Sequence, residues 1–259
     1  MKYYIDILDK RNLYLKNKLE KIGKDVEDFD MNNLSKIKEG DYLIFSPAKK
    51  FDIAFVNLLP KNIYFVSGNI QNELKIALKE KNIKHINLME DEIFTVKNAN
   101  LTCEGVLAIM LEKSERSIYE SNVLIIGGGR IAKYMALLLS KLGVNFSIVS
   151  FNEVKFPSYF MFTNSCYFRK SFMKDLSKFD IIINTIPSDI FDENEVKKIA
   201  PKTIFIETAS VNCLDKNLSS HFNYILAPAL PTKYAPITAS RYMFEAIENL
   251  NNYRGENNE

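Results

Sequence analysis

The feature that most constrains this chain is a run of three glycines between an apolar segment and an amphipathic helical pattern. Asn122 to Ile126, before the glycines, has the composition of a buried strand. The helix after them carries apolar residues at helical spacing, namely Ile131, Met135, Leu138, Leu139 and Leu142. A strand, a G-x-G-x-x-A turn and a helix form the fingerprint of a Rossmann dinucleotide-binding unit. The alternative interpretation is a tight strand-to-helix turn that binds nothing.

The small residues of this segment, residues 127–132, here called the glycine turn, each have a physical role. Gly127 permits the tight bend, and Gly129 lets the backbone approach a pyrophosphate. Backbone N–H groups at the start of the helix, at Arg130 and Ile131, would face the anion. The motif therefore predicts Gly127, Gly129, Arg130 and Ile131 as cofactor-binding residues.

Short β-branched or aromatic runs alternate with helical patterns along the whole chain, which is typical of parallel-sheet α/β architecture. The predicted strands lie near residues 3–8, 42–45, 63–66, 85–88, 122–126, 144–149, 180–184 and 203–207, with a further strand ending at residue 227. The predicted helices of the first half lie near residues 10–22 and 69–81. The fold class expected is α/β, with two open parallel-sheet domains of which the second is a Rossmann domain.

A chain of 259 residues can form two modest domains. We expect a substrate-side domain over 1–100 and an NADP-binding Rossmann domain over 101–237, which begins with a linking helix from Thr102 to about Ser117. Residues 238–259 are predicted to form a C-terminal helix and tail, with the helix packing back on the first domain.

Residues with special capping roles mark several helix ends. Gly23 is predicted as a left-handed C-cap, Gly143 as the end of the helix after the glycine turn, and Asn69 as an N-cap. Asp192 and Glu195 have the spacing of a capping box.

Composition excludes several function classes. A net charge of +2 gives no field that would concentrate a nucleic acid, and three widely spaced cysteines with two histidines show no metal-ligand spacing. We therefore expect no nucleic-acid partner, no metal and reduced thiols. Asp6 and Asp9 interrupt the N-terminal segment where a signal peptide would be apolar, and no later segment has the length of a membrane span. The prediction is a cytoplasmic protein without a membrane partner.

The end of the second Rossmann strand bears on the choice of cofactor. An NAD-selective site has Asp or Glu there for the ribose 2′-hydroxyl, whereas this chain has Ser150, Phe151 and Asn152. Ser150 and Asn152 can hydrogen-bond to a 2′-phosphate, and Arg130 or Lys155 can supply charge. NADP is therefore predicted over NAD, with a solvated loop as the alternative.

Two further loops follow strands of the predicted sheet, at the edge where ligands of open α/β sheets bind. The first is residues 184–188, where Asn184 and Thr185 can reach the nicotinamide ribose and Pro187 stiffens the backbone. The second is residues 227–231, in which Pro228 and Leu230 are predicted to contact the nicotinamide carboxamide. The alternative is that both are ordinary strand-ending turns.

These segments carry a family resemblance. INTIPSDIF, APKTIFIETAS and LAPALPTKYAPITAS, together with the glycine turn, NANLTCEGVLA and IYFVSGNI, resemble the A-subunit family of dipicolinate synthase over roughly two thirds of the chain. The resemblance implies an NADP-linked dehydrogenation of a dihydrodipicolinate-type intermediate to pyridine-2,6-dicarboxylate. It also implies a flavoprotein-like second subunit, the mother cell of a sporulating bacterium, and a dicarboxylate substrate in the cleft between the domains. Whether the chain also forms a homo-oligomer stays open.

The sequence departs from the family pattern in two loops, and its N-terminal domain is shorter than is usual in the family. Where the family has an Arg after its Ala-Ser pair, this chain has Val211 after Ala209 and Ser210, and Thr232 replaces a Gly. A cation that would hold a substrate carboxylate is thus missing. Lys233 can replace its charge in a catalytic role, or it is a surface lysine.

The remaining candidates also have two interpretations. Glu104, in the family's Thr-x-Glu-Gly phrase, is either a general base or a first-turn residue of the linking helix capped by Thr102. The predicted substrate-binding residues are Ser46, Lys49, Thr102 and Ser210, although lysines after strands are more often solvated.

Two other functions stay open. The chain is compatible with a catalytically degenerate nucleotide-binding subunit of the same complex, which the missing Arg would mark. It is also compatible with a 2-hydroxy-acid-type dehydrogenase, although such enzymes need a His and carboxylate pair and His221 has no convincing partner.

Overall fold

The computed structural model describes residues 1–163, 165–209, 213, 214 and 216–256, and of these only the backbone for residues 170–173, 216, 217 and 251–256. The chain divides into two compact units. Unit 1 comprises Met1–Asn98 and Pro231–Glu259, and unit 2 comprises Ala99–Leu230.

Unit 1 is built on a five-stranded parallel sheet with the order β2-β1-β3-β4-β5. Its strands are β1 (Tyr3–Ile5), β2 (Val26–Asp28), β3 (Tyr42–Ile44), β4 (Tyr64–Ser67) and β5 (Lys84–Asn87). Its helices are α1 (Lys10–Lys21), α2 (Ile53–Leu58), α3 (Asn72–Glu80) and α9 (Pro236–Glu256). The strands β1 and β3 are buried throughout, because helices cover both faces of a parallel sheet.

The C-terminal helix α9 completes one of the two cores of unit 1. Met243, Ala246 and Ile247 of α9 are buried with Leu15 and Leu19 of α1. The opposite face of the sheet is covered by α2 and α3. The predicted return of the last helix to the first domain is confirmed, and its apolar stripe finds the partner surface that an amphipathic helix needs.

Unit 2 is built on a six-stranded parallel sheet with the order β11-β10-β9-β6-β7-β8. Its strands are β6 (Val123–Ile126), β7 (Phe146–Ser150), β8 (Cys166–Phe168), β9 (Ile181–Asn184), β10 (Ile204–Glu207) and β11 (Asn223–Leu226). Its helices are α5 (Arg130–Leu142), α6 (Glu193–Val196) and α7 (Lys216–Ser219), while α4 (Glu92–Lys113) and α8 (Leu230–Tyr234) run across the boundaries of the units. Short 3₁₀ helices lie at Met31–Lys36, Leu88–Glu90, Ile118–Glu120, Phe156–Met161 and Arg169–Lys178. The predicted α/β class with two parallel sheets is confirmed.

Local signals for helix ends were accurate in unit 2. Gly143 follows α5 in the left-handed conformation with φ of 72°. Asp192 and Glu195 form the predicted capping box at the start of α6. Within the described ranges, no helix combines the length and the apolar composition needed to cross a bilayer.

The predicted start of the linking helix was wrong. This helix is α4, and it begins at Glu92, ten residues before Thr102, where the Asp91 carboxylate accepts a hydrogen bond from Phe94 N. Burial of Phe94 and Leu101 on α4 outweighs the weak helix propensity of the intervening asparagines. Thr102 is therefore not a helix cap.

Other elements also differ from the predictions. Asn69 does not cap α3, because that helix begins at Asn72 after Gln71, and the Asn69 side chain instead accepts a hydrogen bond from Gln71. The strands β2 and β8 and the helix α2 were not predicted. The two strands are three residues long and only half-buried, so they lack the apolar signal of a central strand.

Candidate functional site

The first glycine of the glycine turn brings two loops of unit 2 into contact. Gly127 has a φ of 139°, and a Cβ there would collide with Thr185 Oγ1. Thr185 is held in place because its N–H and its hydroxyl both donate to Ile126 O at 2.9 Å. Only glycine fits at this position, so the end of β6 lies directly against the loop after β9.

The third glycine leaves open space in front of a helix. Gly129 is the N-cap of α5 in an extended conformation, it makes no side-chain capping bond, and a Cβ there would meet no atom within 4 Å. The first turn of an α-helix has N–H groups without intrahelical acceptors and a positive dipole end. Ile131 O accepts a hydrogen bond from Cys103 Sγ of α4 at 3.4 Å, which fixes the start of α5, and Arg130 is exposed. The turn therefore has the open backbone and the dipole that a phosphate group requires.

The end of β7 lies beside this turn and carries no carboxylate. The strand ends at Ser150, which is buried, and a Cβ at Gly128 would lie 2.9 Å from its Oγ. The Ser150 hydroxyl donates to Asn152 O and accepts from Asn152 N, both at 3.2 Å. The exposed Asn152 accepts from Lys155 N at 2.9 Å. These polar groups organise the loop, and the nearest acid in sequence, Glu153, lies three residues beyond the strand end.

A buried acid lies at the end of β10, between the loops after β9 and β10. We call Asn184, Glu207, Ala209 and Cys213 the Glu207 cluster. Glu207 accepts hydrogen bonds from Asn184 Nδ2 at 2.9 Å and from Ala209 N at 3.0 Å. Its side chain is fully buried, and burial raises the pKa of the Glu207 carboxyl against the opposing effect of these hydrogen bonds. Burial and the nearby Glu207 charge raise the pKa of Cys213 to about 12, so its thiol stays protonated.

The remaining predicted cofactor residues lie on loops of unit 2. Pro187 is exposed in the loop after β9, and Pro228 is exposed after β11. Ala229 has a φ of 52° and Leu230 is buried at the first position of α8. Leu230 can therefore offer only its backbone to a ligand, because its side chain belongs to the core.

Unit 1 has a charged cluster at the carboxyl edge of its own sheet. We call Asp9, Arg11, Ser46 and Thr232 the Asp9 cluster. The buried Arg11 donates to Asp9 through Nε at 3.0 Å and Nη2 at 2.6 Å, and Ser46 Oγ donates to Asp9 at 2.6 Å. Thr232 Oγ1 donates to Asp9 at 3.2 Å. Burial acts to raise the pKa of Asp9, but the hydrogen bonds and charge of Arg11 and the Ser46 hydroxyl hold it below its usual value.

A second ion pair lies on the same edge. Lys49 Nζ donates to the buried Asp6 at 2.5 Å and lies 4.9 Å from the centre of the Phe45 ring. The Lys49 side chain keeps 37% of its exposure, whereas Asp6 keeps 7%. The predicted residues Ser46 and Lys49 thus follow the same strand and each donates to an acid, and the Lys49 side chain stays partly exposed.

The predicted catalytic residues are both exposed. Glu104 lies on α4 well past the first turn, so its interpretation as a first-turn residue was wrong, and Thr102 is buried on the same helix. Lys233 lies on α8 with Nζ 4.9 Å from the centre of the Tyr234 ring. Ser210 lies outside the described residues.

Two further features of the described residues are the placement of potential metal ligands and the state of the buried Cys103 thiol. No group of three His, Cys, Asp or Glu side chains among these residues is placed to hold a metal ion. Burial and the neighbouring Glu104 charge raise the pKa of Cys103 to about 12, which leaves an unreactive thiol.

Sequence reasoning missed Asp9, Arg11, Asp6 and Glu207. A signal for Asp9 was available, since an Asp immediately before a predicted helix is a preferred N-cap. Glu207 ends an otherwise apolar strand, which indicates a buried acid, but its partners follow from the tertiary fold.

Known proteins resemble this chain in both sequence and structure. No family model matches the chain. The A subunit of dipicolinate synthase from Bacillus subtilis (strain 168) is 24% identical over 199 residues, which is 74% of this chain and 65% of that protein, so the alignment spans less than two thirds of the relative.

Solved structures share the fold at low sequence identity. The crystal structure of the dipicolinate synthase A subunit from Bacillus halodurans has a TM-score of 0.83 at 19% identity and covers 96% of this chain and 97% of that one. The NAD-dependent formate dehydrogenase from Staphylococcus aureus, in complex with NAD, has a TM-score of 0.60 at 14% identity and covers 96% and 94% of the two chains.

The two parallel sheets and these likenesses define a two-domain α/β fold of the Rossmann type, which dipicolinate synthase A subunits and NAD-dependent dehydrogenases also have. In sequence and in fold, the chain resembles the A subunit of dipicolinate synthase, from which it has diverged to 24% identity over the aligned residues.

Proposed function

We propose that this chain is an NADP-linked dehydrogenase subunit that forms pyridine-2,6-dicarboxylate from a dihydrodipicolinate-type intermediate. The observation that carries the proposal is the glycine turn, where open space at Gly129 adjoins an uncapped helix start. Gly127, Gly129, Arg130 and Ile131 would hold the pyrophosphate of a dinucleotide there.

The nicotinamide half of the cofactor is assigned to the neighbouring loops. Thr185 lies against the glycine turn, and Pro187 follows in the same loop. We assign backbone contacts with the carboxamide to Pro228 and Leu230 in the loop after β11. In open parallel sheets, ligands bind beyond the carboxyl ends of the strands, which supports this assignment.

We propose NADP as the preferred cofactor. The strand β7 ends at Ser150 without a carboxylate that would repel a 2′-phosphate. Because the Ser150 hydroxyl is bound within its own loop, we assign the charge recognition to the exposed Arg130 and Lys155, with Ser150 and Asn152 shaping the loop.

The proposed substrate is a planar dicarboxylate. Lys49 presents an exposed ammonium beside a buried acid, and Ser46 follows the same strand. We assign Lys233 and Glu104 to catalysis, as carboxylate partner and general base, and Thr102 and Ser210 to substrate binding. Glu104 would remove a proton from the substrate ring, and NADP, when bound, would supply the acceptor for the hydride that leaves the ring carbon as the ring becomes aromatic.

A second subunit is part of this proposal. The relative from Bacillus subtilis is described as a subunit, so we propose that this chain also acts with a second, flavoprotein-like chain. The proposed setting is the cytoplasm of a sporulating bacterium.

The test is a titration of the purified chain with NADPH and with NADH, followed by fluorescence. We expect saturable binding of both, with NADPH bound more tightly, and turnover when the second subunit and a dihydrodipicolinate substrate are added. Saturable binding of neither nucleotide would overturn the proposal.

A second candidate is a nucleotide-binding subunit without catalytic activity. The observation in its favour is the absence of the family Arg after Ala209 and Ser210. NADPH binding without any cofactor reduction, in a mixture where a relative of known activity turns over, would establish this candidate and exclude the first.

A further inference from the structure

Glu207 is a fully buried acid whose described partners carry no positive charge. Its oxygens accept from the amide of Asn184, from the backbone N–H of Ala209, and from the thiol and the backbone N–H of Cys213. A buried carboxylate without a cation destabilises the fold, so its presence needs an explanation beyond packing.

Hydrogen bonds of Glu207, Asn184 and Thr185 join three loops at the carboxyl edge of the sheet of unit 2. Asn184 donates to Glu207 and also closes its own loop, since its Oδ1 accepts from Ile186 N at 3.1 Å. The next residue, Thr185, donates to Ile126 O immediately before Gly127. A continuous path therefore runs from the glycine turn, through the loop after β9, to the loop after β10.

Several hydrogen bonds tie the loop after β10 to this path. Ala209 N donates to Glu207, and Thr208 Oγ1 donates to Asn184 O at 2.8 Å. A carboxylate accepts at both oxygens, so it can hold the Asn184 amide and the Ala209 N–H together. A glutamine of the same shape would turn an NH₂ group towards one of these two donors.

We propose that Glu207 is a positioning residue that sets the loops which receive the nicotinamide half of the cofactor. This inference rests on the proposed function, because it assumes a dinucleotide at the glycine turn. Glu207 acts through Asn184 and Ala209 and does not touch the cofactor. In the proposed function the adenosine half would lie against the end of β7 and the start of α5, which make no described hydrogen bond to Glu207.

The test compares whole cofactors with fragments that lack the nicotinamide half. Dissociation constants for NADPH and 2′,5′-ADP, and for NADH and ADP, are measured on the wild-type protein and on Glu207→Gln. We expect Glu207→Gln to weaken the binding of the whole cofactor about tenfold, which corresponds to about 1.4 kcal/mol. Binding of the fragment is expected to change less than twofold. A purely structural role of Glu207 would instead weaken the binding of cofactor and fragment by the same factor.

A matched control is available in the same unit. Glu195→Gln changes another buried acid, in the capping box of α6. It should leave the dissociation constants of the whole cofactors and of the fragments unchanged. If Glu207→Gln does not fold, Glu207→Asp keeps both oxygens but withdraws them by one methylene, and should show the same selective loss.

Equal losses for cofactor and fragment, or no loss for either, would overturn the positioning role while leaving the proposed function intact. A wild-type protein that binds neither cofactor nor fragment would overturn the proposed function and this inference with it.

Discussion

Asp9 in unit 1, whose side chain is 10% exposed, and the fully buried Glu207 in unit 2 are acids at the carboxyl edge of a parallel sheet, but their surroundings differ. Asp9 is joined by the guanidinium of Arg11 and by two hydroxyls, and its pKa is held below the ordinary value. Glu207 has uncharged donors, and burial raises its pKa. The comparison indicates that the nearby cation, rather than the extent of burial, decides whether the pKa of the carboxyl is raised or lowered.

The difference also separates two roles. A paired acid such as Asp9 stabilises the contact between the start of α1, the loop after β3 and α8. Glu207 has no cation beside it among the described residues and lowers stability when it is ionised, which indicates that its benefit lies in the arrangement of a site.

The largest expected effect on stability is that of Arg11→Met, which removes the cation beside Asp9 and leaves this acid with uncharged donors, like Glu207. Removing one member of a buried pair leaves an uncompensated charge, so we expect a loss of about 3 kcal/mol or more in the free energy of unfolding. Urea denaturation at pH 7 measures this loss.

The double variant Arg11→Met with Asp9→Asn is the control, because it removes both charges and should recover part of the stability. A loss below about 1 kcal/mol in the single variant, the range of an exposed pair, would show that the pair is not effectively buried.

The next effect is the pH dependence of stability caused by Glu207. Since its folded pKa is raised, the folded state retains this proton while the unfolded state loses it, so stability falls as pH rises above the ordinary value of 4.5. The slope is at most about 1.4 kcal/mol per pH unit for one proton.

Glu207→Gln should remove this contribution to the pH dependence of stability. The wild-type protein should therefore lose stability relative to the variant as pH rises from about 4.5, which a series of denaturation curves at different pH values measures. Asp9 has the opposite sign, because its lowered pKa gives stability that is present above 3.8 and lost as pH falls through the folded value. A difference between wild type and Glu207→Gln that stays constant with pH would contradict the raised pKa.

The smallest effect concerns ligand binding in unit 1. Lys49→Ala removes the exposed charge beside Asp6 and should raise the KM for the dicarboxylate about tenfold, equal to about 1.4 kcal/mol, without altering NADPH binding. The neighbouring exposed Lys50→Ala is the matched control. Equal KM values in the two variants would remove Lys49 from the substrate site.

Local sequence signals predicted the parts of the fold that depend on neighbouring residues. The glycine turn, the Gly143 helix end and the Asp192–Glu195 capping box each involve residues within a few positions of one another. The start of α4 was missed because burial of Phe94 and Leu101, rather than a capping signal at Thr102, fixes it.

The two acid clusters could not be predicted from sequence because their partners are distant along the chain. Asp9 meets Ser46 and Thr232, which are 37 and 223 residues away, and Glu207 meets Asn184 across neighbouring strands. Ser46 and Lys49 were selected as strand-ending polar residues, but the acids that hold them appear only in the fold.

The central claim is that the open glycine turn receives a dinucleotide pyrophosphate, and NADPH titration of Gly129→Val tests it most directly. A Cβ at Gly129 meets no protein atom within 4 Å, so we expect a folded variant whose melting temperature is lowered only by the poorer N-cap, with at least a hundredfold weaker NADPH binding, about 2.7 kcal/mol. The control Ser140→Val, at an exposed position of the same helix, should bind like the wild type. Wild-type affinity in a folded Gly129→Val variant would contradict the account.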